Sequence, residues 1–342
     1  MSEVPTKPTK VKWSPGRWAV IVAIAGWLLM MGAMVTLSGG EFPLHIHSLE
    51  HRAMPFWTML GLVQGSLVLA GVIIALALWV TRHRPKQNLA ERAPRPSVAA
   101  WETLGMIVYA VAGQVAGFYL GHSLGAYAIS LHMPGTLYGL SGAYTPQEAV
   151  VWAAFNFVVY AVIPFLFFRW RGYTNEQLNL KTQDLKGDLW LIAVVFVVEA
   201  TVELLSISSA IFSLNGSQML WGSLLTFALN FFGTVLPILI FIYAILLPRF
   251  LRLTNSVVLT TILCGVSYAL VHIFDSWTDY STLSSGVLSA IFVVMQYFGP
   301  GMVKAVLTLR TGNAWVHAWA YHIFDPHVLI DTPTIVGVFR IR

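Results

Sequence analysis

Four residues, His-Ile-Phe-Asp, occur twice, as His272-Ile273-Phe274-Asp275 and His322-Ile323-Phe324-Asp325. Each copy sets an imidazole and a carboxylate at i and i+3, so that both face the same way on a helix. Each lies near the end of a strongly apolar run, where ionisable groups are costly and usually have a reason. Upstream, Glu199 and Glu203 stand at i and i+4 in a run otherwise made of Val, Ala, Leu and Ile. Two carboxylates on one face inside a bilayer cannot both ionise cheaply. One of them is expected to be protonated, or a cation to sit between them.

Such groups suit three kinds of chemistry. Glu199, Glu203, His272, His322 and Asp325 could share the acid–base work of a hydrolysis, which needs a base, an electrophile for the carbonyl oxygen and a water held between them. A His/Glu set, here His272, His322 and Glu199, would also suit a divalent metal such as zinc. Glu199 and Glu203 could instead be the protonatable sites of a carrier. The bland alternative places both His-Ile-Phe-Asp copies at the outer interface, with His and Asp in headgroup water and the aromatic ring as an anchor. Thirteen tryptophans, among them Trp18, Trp57, Trp101, Trp190 and Trp277, fit that view.

The elements that must position these residues are membrane helices. Of 342 residues, 57% are hydrophobic and only 10% charged, and mean hydropathy is +0.71; ordinary domains carry about 25% charged residues. The composition defines an all-α, polytopic helical membrane protein. Apolar runs fall near 18–38, 56–81, 102–131, 148–168, 189–212, 219–247, 256–274, 285–309 and 312–324, giving eight clear spans and a short ninth. The lone Cys264 leaves no disulfide framework within one chain.

Lys and Arg fall almost wholly on alternate sides of these runs. One side collects Lys7 to Arg17, Arg82 to Arg95, Arg169 to Lys186, Arg249 and Arg252, then Lys304 and Arg310, whereas the other holds Arg52 and the terminal Arg340 and Arg342. The positive-inside rule puts the N-terminus in the cytoplasm, in a chain of the cytoplasmic membrane. The net charge of +5, so distributed, points to membrane orientation and to anionic lipid headgroups, not to nucleic acid. The first run is read as a retained helix and not a cleaved leader.

Three regions follow: a basic tail over 1–17, spans over 18–131 with a basic loop at 82–96, and a second transmembrane region over 148–330. An outer loop with His45, His47, Glu50 and His51 reads as polar headgroup-level chain, with metal binding as the alternative. In the third span Gly105, Gly113, Gly117, Gly121 and Gly125 predict close helix packing, and Gln114 and His122 are expected to hydrogen-bond between helices. Residues 172–188 read as an amphipathic connector on the membrane surface.

Counting about 1.5 Å per residue from the basic side, Glu199, Glu203, His322, Asp325 and His272 all come to the middle or outer half of the bilayer, with Asn230 and Gln296 at similar depth. The expectation is a polar pocket open to the outer side.

From Arg169 to Asp325 the chain resembles the CPBP family, the CAAX-protease and bacteriocin-processing intramembrane endopeptidases. Gly172 to Leu180 is similar to the family's lead-in. Ser267-Tyr268-Ala269-Leu270-Val271-His272 is similar to its Phe-x-x-x-His motif, with Tyr268 for Phe. Leu309-Arg310-Thr311-Gly312-Asn313-Ala314-Trp315 is similar to the Arg-Thr-Gly-Ser-x-Trp that enters its last helix. The family's Glu-Glu-x-x-x-Arg motif is absent: counting from Arg249 puts Ala244 and Ile245 at the two glutamates, and counting from Pro237 puts Ile240 and Phe241 there. In the His-x-x-x-Asn motif, Tyr321 and Asp325 occupy the two positions; a shift of one residue gives His322 and Pro326. The resemblance implies a CPBP-like bundle in the C-terminal half and covers a little under half the chain.

Three functions follow from it. The first is a scaffold that has lost peptidase activity and serves as a structural or assembly subunit of a membrane complex, or holds a hydrophobic ligand or pigment. The second is an atypical intramembrane metalloendopeptidase with a relocated glutamate base. The third is a proton-coupled transporter.

Overall fold

The computed structural model describes residues 16–38, 56–125, 128–133, 145–206, 209–275 and 277–342, and among these the elements are all helices, with no strand. The His45–His51 loop and nearly all of the 1–17 tail lie outside them. Six helices are long and apolar enough to cross a membrane: α1 (Arg17–Leu37), α2 (Phe56–Val80), α3 (Pro96–Ser123), α4 (Pro146–Trp170), Gly216–Thr254 and Leu283–Thr311. Between and after them come α5 (Leu185–Ser206), α6 (Gly216–Thr254), α7 (Val257–Leu270), α8 (Leu283–Thr311) and a broken helix α9 over 315–339. The apolar run at 189–212 ends early as a helix, at Ser206. The run at 312–324 is extended, its helix continuing to Phe339.

Helix starts follow local chemistry. Thr145 and Glu148 form a reciprocal cap ahead of α4, and Asn215 and Gln218 do the same ahead of α6, satisfying first-turn N–H groups that lipid cannot. Thr282 caps α8, which ends on Gly312 at φ 67°; only glycine enters that left-handed region without strain.

The centre of the bundle is α6. From Val235 to Leu247 nearly every residue is buried, as expected of a helix that is apolar all round. Around it, α2 packs along α8, α7 along α8, and α5 against both α2 and α9. Gly265 and Gly301 bring α7 and α8 together: a Cβ on Gly301 would lie 2.7 Å from the Tyr268 side chain and 2.8 Å from Gly265. On the outside, α1 is held to α2 by Trp27, whose indole donates to Gln64 at 2.9 Å. Trp18, Trp57, Trp101 and Trp190 are exposed, in keeping with an interfacial belt. Trp277 is not; it is buried against Phe292 at 5.2 Å between ring centroids.

One end of the bundle carries the basic junctions. Arg84 pairs with Asp188 at 2.8 Å, which also accepts from Asn313 and Thr182. Arg92 donates to the Gly312 carbonyl at 2.6 Å and to Asn179 at 2.7 Å, and burial pulls its guanidinium below the usual arginine range. Asn179, at φ 55°, donates in turn to the Tyr243 carbonyl, and its own carbonyl accepts from Ala314 N–H. The connector is thus tucked under the bundle, with Leu178 and Asn179 buried, and does not float on a surface. Polar groups with no water must find protein partners, and here four chain segments supply them.

The run read as one span over 102–131 is two structures. Helix α3 stops at Ser123, and residues 128–133 form a buried non-helical segment inserted among the helices. Bare backbone at that depth is tolerable only when protein satisfies it. Ile129 N–H donates to the Gly117 carbonyl, Trp152 and Asn156 donate to the Ser130 carbonyl, and Thr234 donates to the Leu131 carbonyl. Glycine at 117 makes room, since a Cβ there would sit 2.4 Å from the Ile129 carbonyl oxygen. Gly113 likewise admits the Tyr160 ring, to whose hydroxyl Gln114 donates at 3.0 Å across helices. His122 instead bonds its own helix, at the Phe118 carbonyl. Gly117→Ala is expected to destabilise by about 1–3 kcal/mol through overpacking, read as a lower melting temperature in detergent, whereas Gly105→Ala, with open space around it, should leave melting unchanged.

Candidate functional site

A polar centre lies where α5, α7, α8, α9 and the 128–133 segment meet. Glu199 and Glu203 face inward from α5, at 2% and 8% exposure. His272 and Asp275 follow the end of α7, and His322 and Asp325 sit in α9; all four are at most 1% exposed. Burial overturns the expectation that the two His-Ile-Phe-Asp copies mark helix ends in headgroup water.

The two copies differ in geometry. In the first, the chain turns after Leu270 and His272 Nδ1 comes within 3.3 Å of Asp275. Asp275 also accepts from Ser130 and from Tyr297, each at 2.6 Å, and the Tyr297 ring stacks on His272 at 3.9 Å. In the second, α9 is π-helical over Ala318–His322 and again over Phe324–Leu329, and the i, i+3 pairing is lost. His322 Nε2 faces the Tyr268 hydroxyl at 3.4 Å, and neither oxygen of Asp325 has a hydrogen-bond partner among the described residues. His327 instead takes the helical carboxylate partner, Asp331, at 2.8 Å.

Between the acids and the imidazoles stands Lys304. Its Nζ lies 3.9 Å from the Tyr268 ring centroid and 5.1 Å from that of Tyr321. It is 1% exposed, a correction to its reading as a cation of the basic loops. It acts electrostatically on Glu199 and on His317, His322 and His327. A cation within electrostatic reach of Glu199 is thus supplied by a side chain of α8, without an ion pair to either glutamate among the described residues. Glu199, Glu203 and Asp325 lie within electrostatic reach of one another, and Glu203 within reach of Asp331.

Among the described residues no three His, Cys, Asp or Glu side chains are grouped closely enough to hold a metal ion. The expected set of His272, His322 and Glu199 is kept apart by Tyr268, whose ring stands 4.9 Å from His272 and 6.0 Å from His322, and by Lys304, a cation where a metal would have to approach. The donor set does not fit zinc as it stands.

What it does offer is a set of buried groups with spare hydrogen-bonding capacity. Glu199 Oε2, His272 Nε2, His322 Nδ1 and both Asp325 oxygens lack hydrogen-bond partners among the described residues. Since buried polar groups are nearly always satisfied, such a gathering marks a site and not a packing accident. At the positions where the resembled family carries glutamates, Ile240, Phe241, Ala244 and Ile245 are packed in the apolar core.

Comparison with protein-family models, with curated proteins and with solved structures gave no match.

His132, His317, His327, Asp331 and Lys304 belong to this centre and escape a reading by helical period. The signal for two of them is a repeat of five that runs through His322: His317, His322 and His327. An α-helix scatters that spacing around its circumference, whereas a π turn, with i to i+5 hydrogen bonds, brings it near one line.

Proposed function

We propose that the chain crosses the membrane eight or nine times with a cytoplasmic N-terminus, and that its C-terminal half is a CPBP-like bundle. We propose further that it hydrolyses peptide bonds within the bilayer, without a metal, using a base moved from α6 to the facing side of α5. The observation that carries this reading is the enclosed set of unpartnered groups, Glu199 Oε2, Asp325 Oδ1 and Oδ2, and His322 Nδ1. In the reaction Glu199 takes a proton from water and the hydroxide adds to the carbonyl carbon. The oxyanion is stabilised by Tyr268, His322 and the charge of Lys304. The proton then passes to the leaving amine as the C–N bond breaks.

The test is incubation of the detergent-purified protein with a digest of membrane-protein segments, followed by mass spectrometry of new termini. Wild type yields them, and Glu199→Gln lowers the yield by about 100-fold or more, the usual scale of a lost general base. No new termini from folded wild type overturns the proposal. The reading as a peptidase-inactive subunit or hydrophobic-ligand scaffold draws support from the apolar packing of Ile240, Phe241, Ala244 and Ile245. It takes precedence if a partner or pigment co-purifies and no cleavage occurs.

A further inference from the structure

Five imidazoles follow one another through the centre of the bundle. Ring centroids stand 6.1 Å apart from His317 to His322, 5.5 Å from His322 to His327, 5.5 Å from His327 to His132 and 6.0 Å from His132 to His272. Allowing for the ring at each end, the gaps leave room for a direct hydrogen bond or one bridging water. All five are buried. Four of them, His317 at Nε2, His322 at Nδ1, His327 at Nε2 and His272 at Nε2, keep one ring nitrogen with no hydrogen-bond partner among the described residues.

The row also has direction. His317 follows Asn313 of the basic end by four residues, whereas His272 lies past the far end of α7. The row ends at Asp275, 3.3 Å from His272. At the other end His317 Nδ1 faces Thr308 at 3.4 Å, one helical turn from Asn313 and its partner Asp188. Through Tyr268, which stands 6.0 Å from His322 and 4.9 Å from His272, the two ends of the row lie no more than about 17 Å apart, a little over half of an apolar layer of roughly 30 Å. Core histidines satisfied by packing do not need such alignment or spare nitrogens.

We propose that His317, His322, His327, His132 and His272 form a proton path across the bundle, an activity separate from peptide hydrolysis. Each imidazole accepts a proton on one ring nitrogen and releases the proton of the other, and ring reorientation resets it. No bond other than N–H is made or broken. The groups facing the path are Lys304 from α8, Glu199 and Glu203 from α5, Asp325 and Asp331 from α9, and Asp275 after α7. Tyr243, Tyr268 and Tyr297 line it as well, at 4.4 Å from His317, 4.9 Å from His272 and 3.9 Å from His272 respectively. The Lys304 charge opposes a proton on His322, and Glu199 lies within electrostatic reach of Lys304.

The experiment uses the full chain in phosphatidylcholine–phosphatidylglycerol vesicles with an entrapped pH dye, a potassium gradient and valinomycin. Proton entry is expected at least about tenfold faster than in protein-free vesicles, falling back at least tenfold in His322→Phe and in His327→Gln. His83→Gln, in the exposed basic loop, should change nothing. His322→Gly should regain flux on addition of free imidazole, a response that a merely structural histidine would not give. Wild-type flux equal to that of empty vesicles overturns the proposal, as does unchanged flux in folded, monodisperse His327→Gln. Peptide cleavage is measured on the same preparations. Flux without cleavage leaves the path and removes the hydrolase, and cleavage without flux does the reverse.

Discussion

Arg249→Met is expected to lower the unfolding free energy by about 3–5 kcal/mol, the usual result of removing one partner from a buried ion pair. Arg249 is fully buried on α6. Its Nε and Nη2 reach Glu102 of α3 at 2.9 and 2.8 Å, and its Nη1 donates to the Ile245 carbonyl at 2.6 Å. Its guanidinium also lies over the Phe168 and Tyr173 rings, at 4.4 and 5.0 Å. Without it, Glu102 keeps only the Tyr173 hydroxyl and a weak contact to Arg171 at 3.4 Å. The loss should appear as a lower melting temperature, and the double variant Arg249→Met with Glu102→Gln should regain much of it. A single-variant loss below about 1 kcal/mol, the exposed-pair range, would show that the pair is solvated.

The same node sets an alkaline limit. Burial first, and then the hydrogen bond to Glu102, push the Tyr173 hydroxyl up to about 12 from an ordinary value of 10.0. A folded value above the unfolded one means that its contribution is full below about pH 10 and is lost as pH climbs through 12. Melting temperatures across that window should fall less steeply in Tyr173→Phe.

Asp275→Ala is the second large effect. Asp275 joins the inserted 128–133 segment, α8 and the end of α7 by direct hydrogen bonds and an ion pair, through Ser130, Tyr297 and His272. Its removal takes an acceptor from buried donors on three elements at once, Ser130 keeping the His132 carbonyl, and at about 1–3 kcal/mol for each hydrogen bond lost a total loss above about 3 kcal/mol is expected. Asp275→Asn retains an acceptor oxygen and should lose far less. Limited proteolysis or hydrogen exchange should show the difference locally, at residues 128–133. Equal stability of the two variants would mean that the segment is held by its backbone bonds alone.

Helix placement and the sidedness of the charges are legible in the sequence because both rest on composition over whole segments. Arg84 with Asp188, Arg92 with Gly312, and Arg249 with Glu102 do meet at one end of the bundle. Two helices fall short of six-fold company for visible reasons: Leu185–Ser206 carries four charged residues, and Val257–Leu270 is short. The burial of Glu199 and Glu203 was legible from their i, i+4 spacing in an apolar run. Residues 128–133 were not, because an apolar stretch reads alike whether it is helix or inserted chain. Lys304 was misplaced for a related reason: counting cations by segment ignores which face of the helix they occupy. His317 and His327 were hidden by the wrong period, since the five-residue repeat they make with His322 aligns only on π turns, which a reading by α-helical spacing does not register.

The position of Glu199 and Glu203 has a consequence for biogenesis. Ribosomes deliver α5 to the bilayer about a hundred residues before Lys304, the cation whose charge offsets that of Glu199. Carrying two glutamates without their neighbours, α5 is a poor candidate to be released into lipid on its own. Its lateral transfer must await α8 and α9, so maturation of this chain closes from its last-made helices backward.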